Sequence, residues 1–202
     1  MRLCIVCTRL DHALVCESCA SEFRAGPVRR LPDGLVVRSG LLHQGAARVL
    51  VHHLKYRGIL DAARCLAVPM ARRMPEGATA LIPVPRATTR RLRYGVDPAL
   101  ELAGAVGRLT GVPVVSALRP AMWWRRHAPR PADARAEPRF RLDVSCVPEG
   151  AVLVDDVFRT GATVRAALRV LGTAGHSALA ATAPPGYDDA AGVPSARRNA
   201  HR

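Results

Sequence analysis

Residues 150–163 read Gly150-Ala151-Val152-Leu153-Val154-Asp155-Asp156-Val157-Phe158-Arg159-Thr160-Gly161-Ala162-Thr163, and their order decides the fold class. Ala151 to Val154 form a short apolar run of the kind that buries on both faces of a parallel sheet, although a buried helical segment has the same look. Two carboxylates, Asp155 and Asp156, stand at its C-terminal end. Phe158 to Thr163 then makes a hydroxyl-rich turn around a glycine, and Val164 to Gly172 reads as the helix into which that turn opens. Strand, acidic pair, small-residue turn and helix suit a sugar phosphate. Carboxylates accept hydrogen bonds from ribose hydroxyls, while backbone N–H groups and threonine hydroxyls hold a phosphate at a helix N-terminus.

Upstream, Ala80 to Pro85 reads as another core strand, ended by Pro83 and Pro85 because proline donates no ladder hydrogen bond. Arg86, Arg90, Arg91 and Arg93 follow at once. Guanidinium forks beyond a strand end can clamp a diphosphate; a solvated basic helix face is the other reading. Asp97 then reads as an N-cap, with Pro98 opening a helix that runs to about Thr110 and stops at Gly111. Val36 to Leu42 is strand-like, and Ala46 to Leu54 is an amphipathic helix continuing into Lys55-Tyr56-Arg57-Gly58. His52 and His53 point about 100° apart on that helix, a poor metal pair and a partly solvated face. Val112 to Leu118 is a third strand-like run and Ser177 to Ala183 a last strand.

Arg119 to Arg141 has little apolar period and reads as a lid, since so long a loop is uncommon in a compact domain. Its Trp123 and Trp124 either stack on a base or anchor packing. Pro184 to Arg202 reads as a disordered tail.

At the N-terminus, Cys4, Cys7, Cys16 and Cys19 give two C-x2-C knuckles with an eight-residue spacer. Four thiolates aimed at one tetrahedral ion, with no open position, make a structural zinc site. A redox C-x-x-C pair is the rival reading and accounts for only half of the motif. Cys65 and Cys146 lie apart and read as ordinary buried residues. Residues 20–34, rich in Pro and Gly, read as a connector. The expected organisation is therefore a zinc ribbon and connector over 1–34, an α/β domain over 35–183 and a tail over 184–202.

The chain has 202 residues, enough for one well-buried α/β domain with a small appendage. Lys and Arg number 30 against 16 acidic residues, a formal charge of +14. Such an excess suits phosphate-bearing ligands or nucleic acid, and compositional bias toward arginine is the alternative. No apolar run is long enough to span a bilayer, and the first residues lack a signal peptide's apolar core, so a cytoplasmic protein is expected.

The central stretch resembles the phosphoribosyl pyrophosphate (PRPP) signature of type I phosphoribosyltransferases. Together with the four-cysteine ribbon, LKYRG at 54–58, IPVPR at 82–86 and RLRYGVD at 91–97, it resembles the ComF family, competence-associated amidophosphoribosyltransferase-like proteins of bacteria. The resemblance implies a type I phosphoribosyltransferase fold, with a mostly parallel sheet flanked by helices. It implies that Asp155 and Asp156 face the ribose hydroxyls and carry the catalytic role, that Arg159, Thr160, Gly161, Ala162 and Thr163 cradle the 5′-phosphate, and that Pro85 and Arg86 sit in a diphosphate loop with Lys55 near the mouth. Magnesium with PRPP and structural zinc are the implied cofactors. DNA-uptake machinery is the implied partner, and the sequence leaves an oligomer open; the alternative is a catalytically silent PRPP-binding module that holds single-stranded DNA. This chain departs from the family at Gly95-Val96-Asp97-Pro98, where a Gly-Phe-Asn-Gln-like segment is usual, and in the mobile loop, where His127, Arg130, Arg135 and Pro138 keep only the arginine.

Overall fold

The computed structural model describes residues 1–120, 139–172 and 177–185. In chain order its elements are β1 Arg2–Leu3, β2 Leu10–Asp11, α1 Glu17–Ala20, β3 Val28–Arg30, β4 Val36–Leu42, α2 Gly45–Arg57, α3 Leu60–Ala71, β5 Ala80–Pro83, α4 Thr88–Tyr94, α5 Pro98–Thr110, β6 Leu118–Pro120, β7 Phe140–Leu142, β8 Ala151–Val157, α6 Ala162–Leu171 and β9 Ser177–Ala183. The central sheet has the order β3-β4-β9-β8-β5, and only β3 runs antiparallel to its neighbour. This is the expected α/β class with a mostly parallel sheet.

Alternation along the strands explains why both faces are covered. Leu81, Val152, Val154, Leu179 and Ala181 enter one core with the apolar sides of α2, α3 and α5. Ile82, Leu153, Ala178 and Ala180 enter the other with α6 and the β6–β7 ribbon. A strand buried on both faces reads as a continuous apolar run, as Ala151 to Val154 does. Val154 lies level with Pro83 of β5 and Leu179 of β9, so Asp155 is the first residue of β8 beyond the end of β5. Both acidic residues therefore emerge at the carboxyl edge of the sheet, where open α/β folds hold their ligands.

Several elements differ from the sequence reading. Val112 to Leu118 is not a strand of the central sheet: Val114 makes one isolated parallel bridge to Leu81, and the strand β6 begins only at Leu118. The Leu81 N–H donates to the Pro113 carbonyl and the Leu81 carbonyl accepts the Val115 N–H, and the pairing goes no further than this one bridge. The connector over 20–34 contains β3, which adds an edge strand to the sheet. Helix α6 starts at Ala162, two residues before the expected start. Cys146 is exposed and Cys65 only partly buried, so the expectation of two ordinary buried cysteines fails. Trp123, Trp124, His127, Arg130, Arg135, Pro138 and most of the expected lid and tail lie outside the described residues. Among the described residues no helix is long and apolar enough to cross a membrane.

Candidate functional site

The site is built from the carboxyl ends of β4, β9, β8 and β5 and from α2 and α6. At the end of β8, Asp155 Oδ1 accepts the Asp156 N–H at 2.7 Å, a local bond that holds the first carboxylate against the peptide that follows it. Asp156 pairs instead with Lys55 Nζ, at 2.7 Å. Burial first, and then the charge of Asp156, push the Asp155 carboxyl up to about 7. The two neighbours thus have different partners: one carboxylate is compensated by a lysine, the other is held in a poorly solvated spot.

Lys55 comes from the last turn of α2, and its main chain is fixed too. Arg86 Nη1 donates to the Lys55 carbonyl at 2.6 Å and more weakly to the Val96 carbonyl at 3.4 Å. The same guanidinium lies 4.7 Å from the Tyr94 ring centre and 5.7 Å from that of Tyr56. Arg86 is therefore a staple joining the loop after β5 to α2 and to the start of α5, with Pro85 beside it, partly buried. Arg90, Arg91 and Arg93 are exposed on α4, the solvated basic helix reading.

Asp97 differs from its expected role. It stands at the N-cap position of α5, but its side chain makes no capping bond; Oδ2 accepts the Arg86 N–H at 3.1 Å, and Oδ1 is buried without a hydrogen-bond partner. Burial raises its carboxyl above the ordinary range. Pro98, at the first helical position, still pre-sets the helix start.

The turn from β8 into α6 is anchored by Phe158, which is buried and whose N–H donates to the Thr182 carbonyl at 2.9 Å. Gly161 has φ 77°, and a Cβ there would stand 3.2 Å from the Phe158 ring. Only glycine fits both demands. Arg159, Thr160 and Ala162 are exposed around this turn, and Thr163 is partly exposed in the first turn of α6, whose N-terminus carries no side-chain cap. The Ala162 N–H reaches Thr160 Oγ1 at 3.5 Å, and the other N–H groups of this first turn, with hydroxyls on either side, can receive a phosphate.

Sequence reasoning missed His43 and Thr182. His43 follows β4, its N–H donates to the Ala183 carbonyl, and its Nδ1 lies 2.8 Å from Thr182 Oγ1. Burial, with the charges of Arg159, Lys55 and Arg48, lowers its pKa and favours the neutral ring. The available signal was position: a polar residue at the end of a parallel strand points into the ligand edge, but strand order is not visible in the sequence.

At the N-terminus the cysteines converge as expected. The four Sγ atoms of Cys4, Cys7, Cys16 and Cys19 all lie within 4.8 Å of one another, close enough to bind one metal ion. Cys7 and Cys16 Sγ are 3.6 Å apart. A tetrahedral ion with metal–sulfur bonds of about 2.3 Å spaces its sulfurs about 3.8 Å apart, so the donor set fits. Thr8 closes the first knuckle with φ 63°, its N–H donating to the Cys4 carbonyl.

No family model and no curated protein matches the chain. A solved structure, adenine phosphoribosyltransferase from Leishmania tarentolae, is similar to it at 13% sequence identity and a TM-score of 0.39, over 75% of this chain and 78% of that one.

Proposed function

We propose that the chain binds PRPP and transfers its 5-phosphoribosyl group, displacing diphosphate from the anomeric carbon. The observation that carries this reading is the pairing of Asp155 and Asp156 at the end of β8 with the uncapped, glycine-opened start of α6. In this reading the two carboxylates accept hydrogen bonds from the ribose hydroxyls. Thr160, Thr163 and the first N–H groups of α6 receive the 5′-phosphate, and Arg159 adds charge at the rim.

Arg86 supports the diphosphate loop by holding the backbone of Lys55 and Val96 rather than by presenting a free fork. Lys55 is the cation nearest the acidic pair. Mg2+ arriving with PRPP would supply charge stabilisation for the departing diphosphate; it would be held mainly by diphosphate and ribose oxygens and by water, with Asp155 and Asp156 as hard oxygen donors nearby. Zinc is the ion proposed for the four cysteines, and its role there is structural. The resemblance to the ComF family carries the reading as far as DNA uptake. The domain limits proposed remain 1–34, 35–183 and 184–202.

Calorimetric titration of PRPP with Mg2+ into the zinc-loaded protein, beside Asp156→Asn, tests the reading. Saturable binding that the variant weakens by about tenfold or more is expected, the scale of a lost charge-assisted hydrogen bond. Equal affinity in the two proteins rejects the assignment.

A further inference from the structure

Three alternate residues of the β3–β4 hairpin meet the turn that opens α6. The Arg29 guanidinium is buried 5.9 Å from the Phe158 ring centre, and its Nη2 donates to the Pro184 carbonyl at 3.0 Å. Leu31 packs against the core that contains Phe158, and its Cδ1 stands 3.4 Å from where a Cβ on Gly161 would be. Asp33 Oδ2 accepts from Arg165 Nε at 2.8 Å, while its Oδ1 takes the Leu35 N–H at 3.3 Å and so closes the hairpin turn on itself. The segment that reads as a connector in the sequence is thus the wall behind the turn.

Arg165 stands in the first turn of α6 and uses its fork twice. Nε goes to Asp33, and Nη1 donates to the Thr160 carbonyl at 3.2 Å. The Arg165 and Asp33 side chains are 38% and 44% exposed, so their ion pair adds little to stability; its consequence is one of direction. In a planar trans peptide the N–H points opposite to the C=O, so holding the Thr160 carbonyl against Arg165 aims the Gly161 N–H the other way. Gly161 has φ 77°, and glycine takes either sign of φ with nearly equal ease, so its own backbone leaves this peptide free to turn over. Arg165 supplies the missing preference.

We propose that Arg165, held by Asp33, is a positioning residue that fixes the Thr160–Gly161 peptide so that its N–H joins the donors to the 5′-phosphate. The phosphate part rests on the PRPP reading above; the hold on the peptide does not. The zinc-loaded full chain is compared with Arg165→Met, Arg165→Lys and Asp33→Ala. Calorimetry measures binding of PRPP with Mg2+, of ribose 5-phosphate, and of diphosphate with Mg2+. Nitrogen-15 NMR without ligand follows the shift and relaxation dispersion of the Gly161 amide, which report a peptide turning over on the μs–ms timescale.

Arg165→Met is expected to bind PRPP and ribose 5-phosphate about fivefold more weakly, the scale of one hydrogen bond, and diphosphate as the parent does. Arg165→Lys keeps the charge but not the fork and should lose nearly as much. Asp33→Ala should lose about twofold, since Arg165 keeps its bond to the Thr160 carbonyl. The Gly161 amide should shift or broaden in all three. Equal losses for ribose 5-phosphate and diphosphate, or full retention of affinity by Arg165→Lys, would place the effect in charge and overturn the positioning role. A Gly161 amide in Arg165→Met that matches the parent's overturns the hold on the peptide. An altered amide with unaltered ribose 5-phosphate affinity overturns the phosphate part. If the parent binds neither PRPP nor ribose 5-phosphate, the PRPP reading fails and the phosphate part with it, while the Gly161 amide still decides the hold.

Discussion

Lys55 Nζ sits 2.7 Å from Asp156 Oδ1, and both side chains are largely removed from water. Its charge also lowers the carboxyl of Asp155 next door, opposing burial and the charge of Asp156. Lys55→Met should therefore act on both acids. Removing one partner of a buried pair strands the other charge, here at a cost of about 1–3 kcal/mol after allowing for residual exposure. Urea denaturation at neutral pH measures it, and carboxyl-carbon NMR should find Asp155 titrating higher than in the parent. Unchanged stability together with an unmoved titration would mean that the pair does not persist in solution.

Asp155 gives a prediction of opposite sign. Its folded pKa, about 7, lies above the ordinary value of 3.8, so the folded chain holds a proton that the unfolded chain releases between those limits. The contribution is fully favourable below 3.8 and is lost as pH rises through 7. Asp155→Asn keeps the acceptor for the Asp156 N–H and removes the titration. The variant should be more stable than the parent at pH 8, by about 2 kcal/mol, with little difference at pH 4. Denaturant midpoints at the two pH values check this. A variant less stable at pH 8 would show that the buried acid is better compensated than its surroundings indicate.

The central motif was legible because it is local: apolar run, acidic pair, glycine turn and helix follow one another, and each predicts its neighbour. Ser177 to Ala183 and Val36 to Leu42 were legible for the same reason. What escaped depends on chain segments far apart. His43 meets Thr182 across 139 positions, and Arg86 meets the Lys55 carbonyl across 31. Asp97 carried the local signature of a cap, and the Arg86 N–H took its side chain instead. Strand order and helix docking decide such contacts, and the sequence pattern alone does not contain them.

His43 lies among Arg159, Lys55, Arg48 and Asp156, and burial and the cations outweigh the carboxylate, lowering its pKa below 6.5. For a histidine kept neutral in the fold, stability is present above 6.5 and is lost as pH falls through the folded value. His43→Gln preserves a polar partner for Thr182 and cannot gain the charge. Its stability should fall less steeply than the parent's below pH 6.5 and match it in slope at pH 8. Thermal unfolding across that range checks the slopes; parallel curves at acid pH would remove His43 from the acid response.

Gly161 and Gly172 separate two costs at the ends of the same helix. Both have left-handed backbones, φ 77° and 68°, but a Cβ at Gly161 meets the Phe158 ring at 3.2 Å whereas one at Gly172 meets nothing within 4 Å. Gly172→Ala should cost only the backbone preference, about 1 kcal/mol. Gly161→Ala adds overlap with a buried ring and should cost about 2–4 kcal/mol. It should also displace the N–H groups proposed to hold the 5′-phosphate, so PRPP affinity falls in this variant and not in Gly172→Ala. Denaturation and calorimetry on the pair test both statements. Equal losses of stability would place the whole cost in the backbone. Retained PRPP affinity in Gly161→Ala would move the phosphate away from the start of α6.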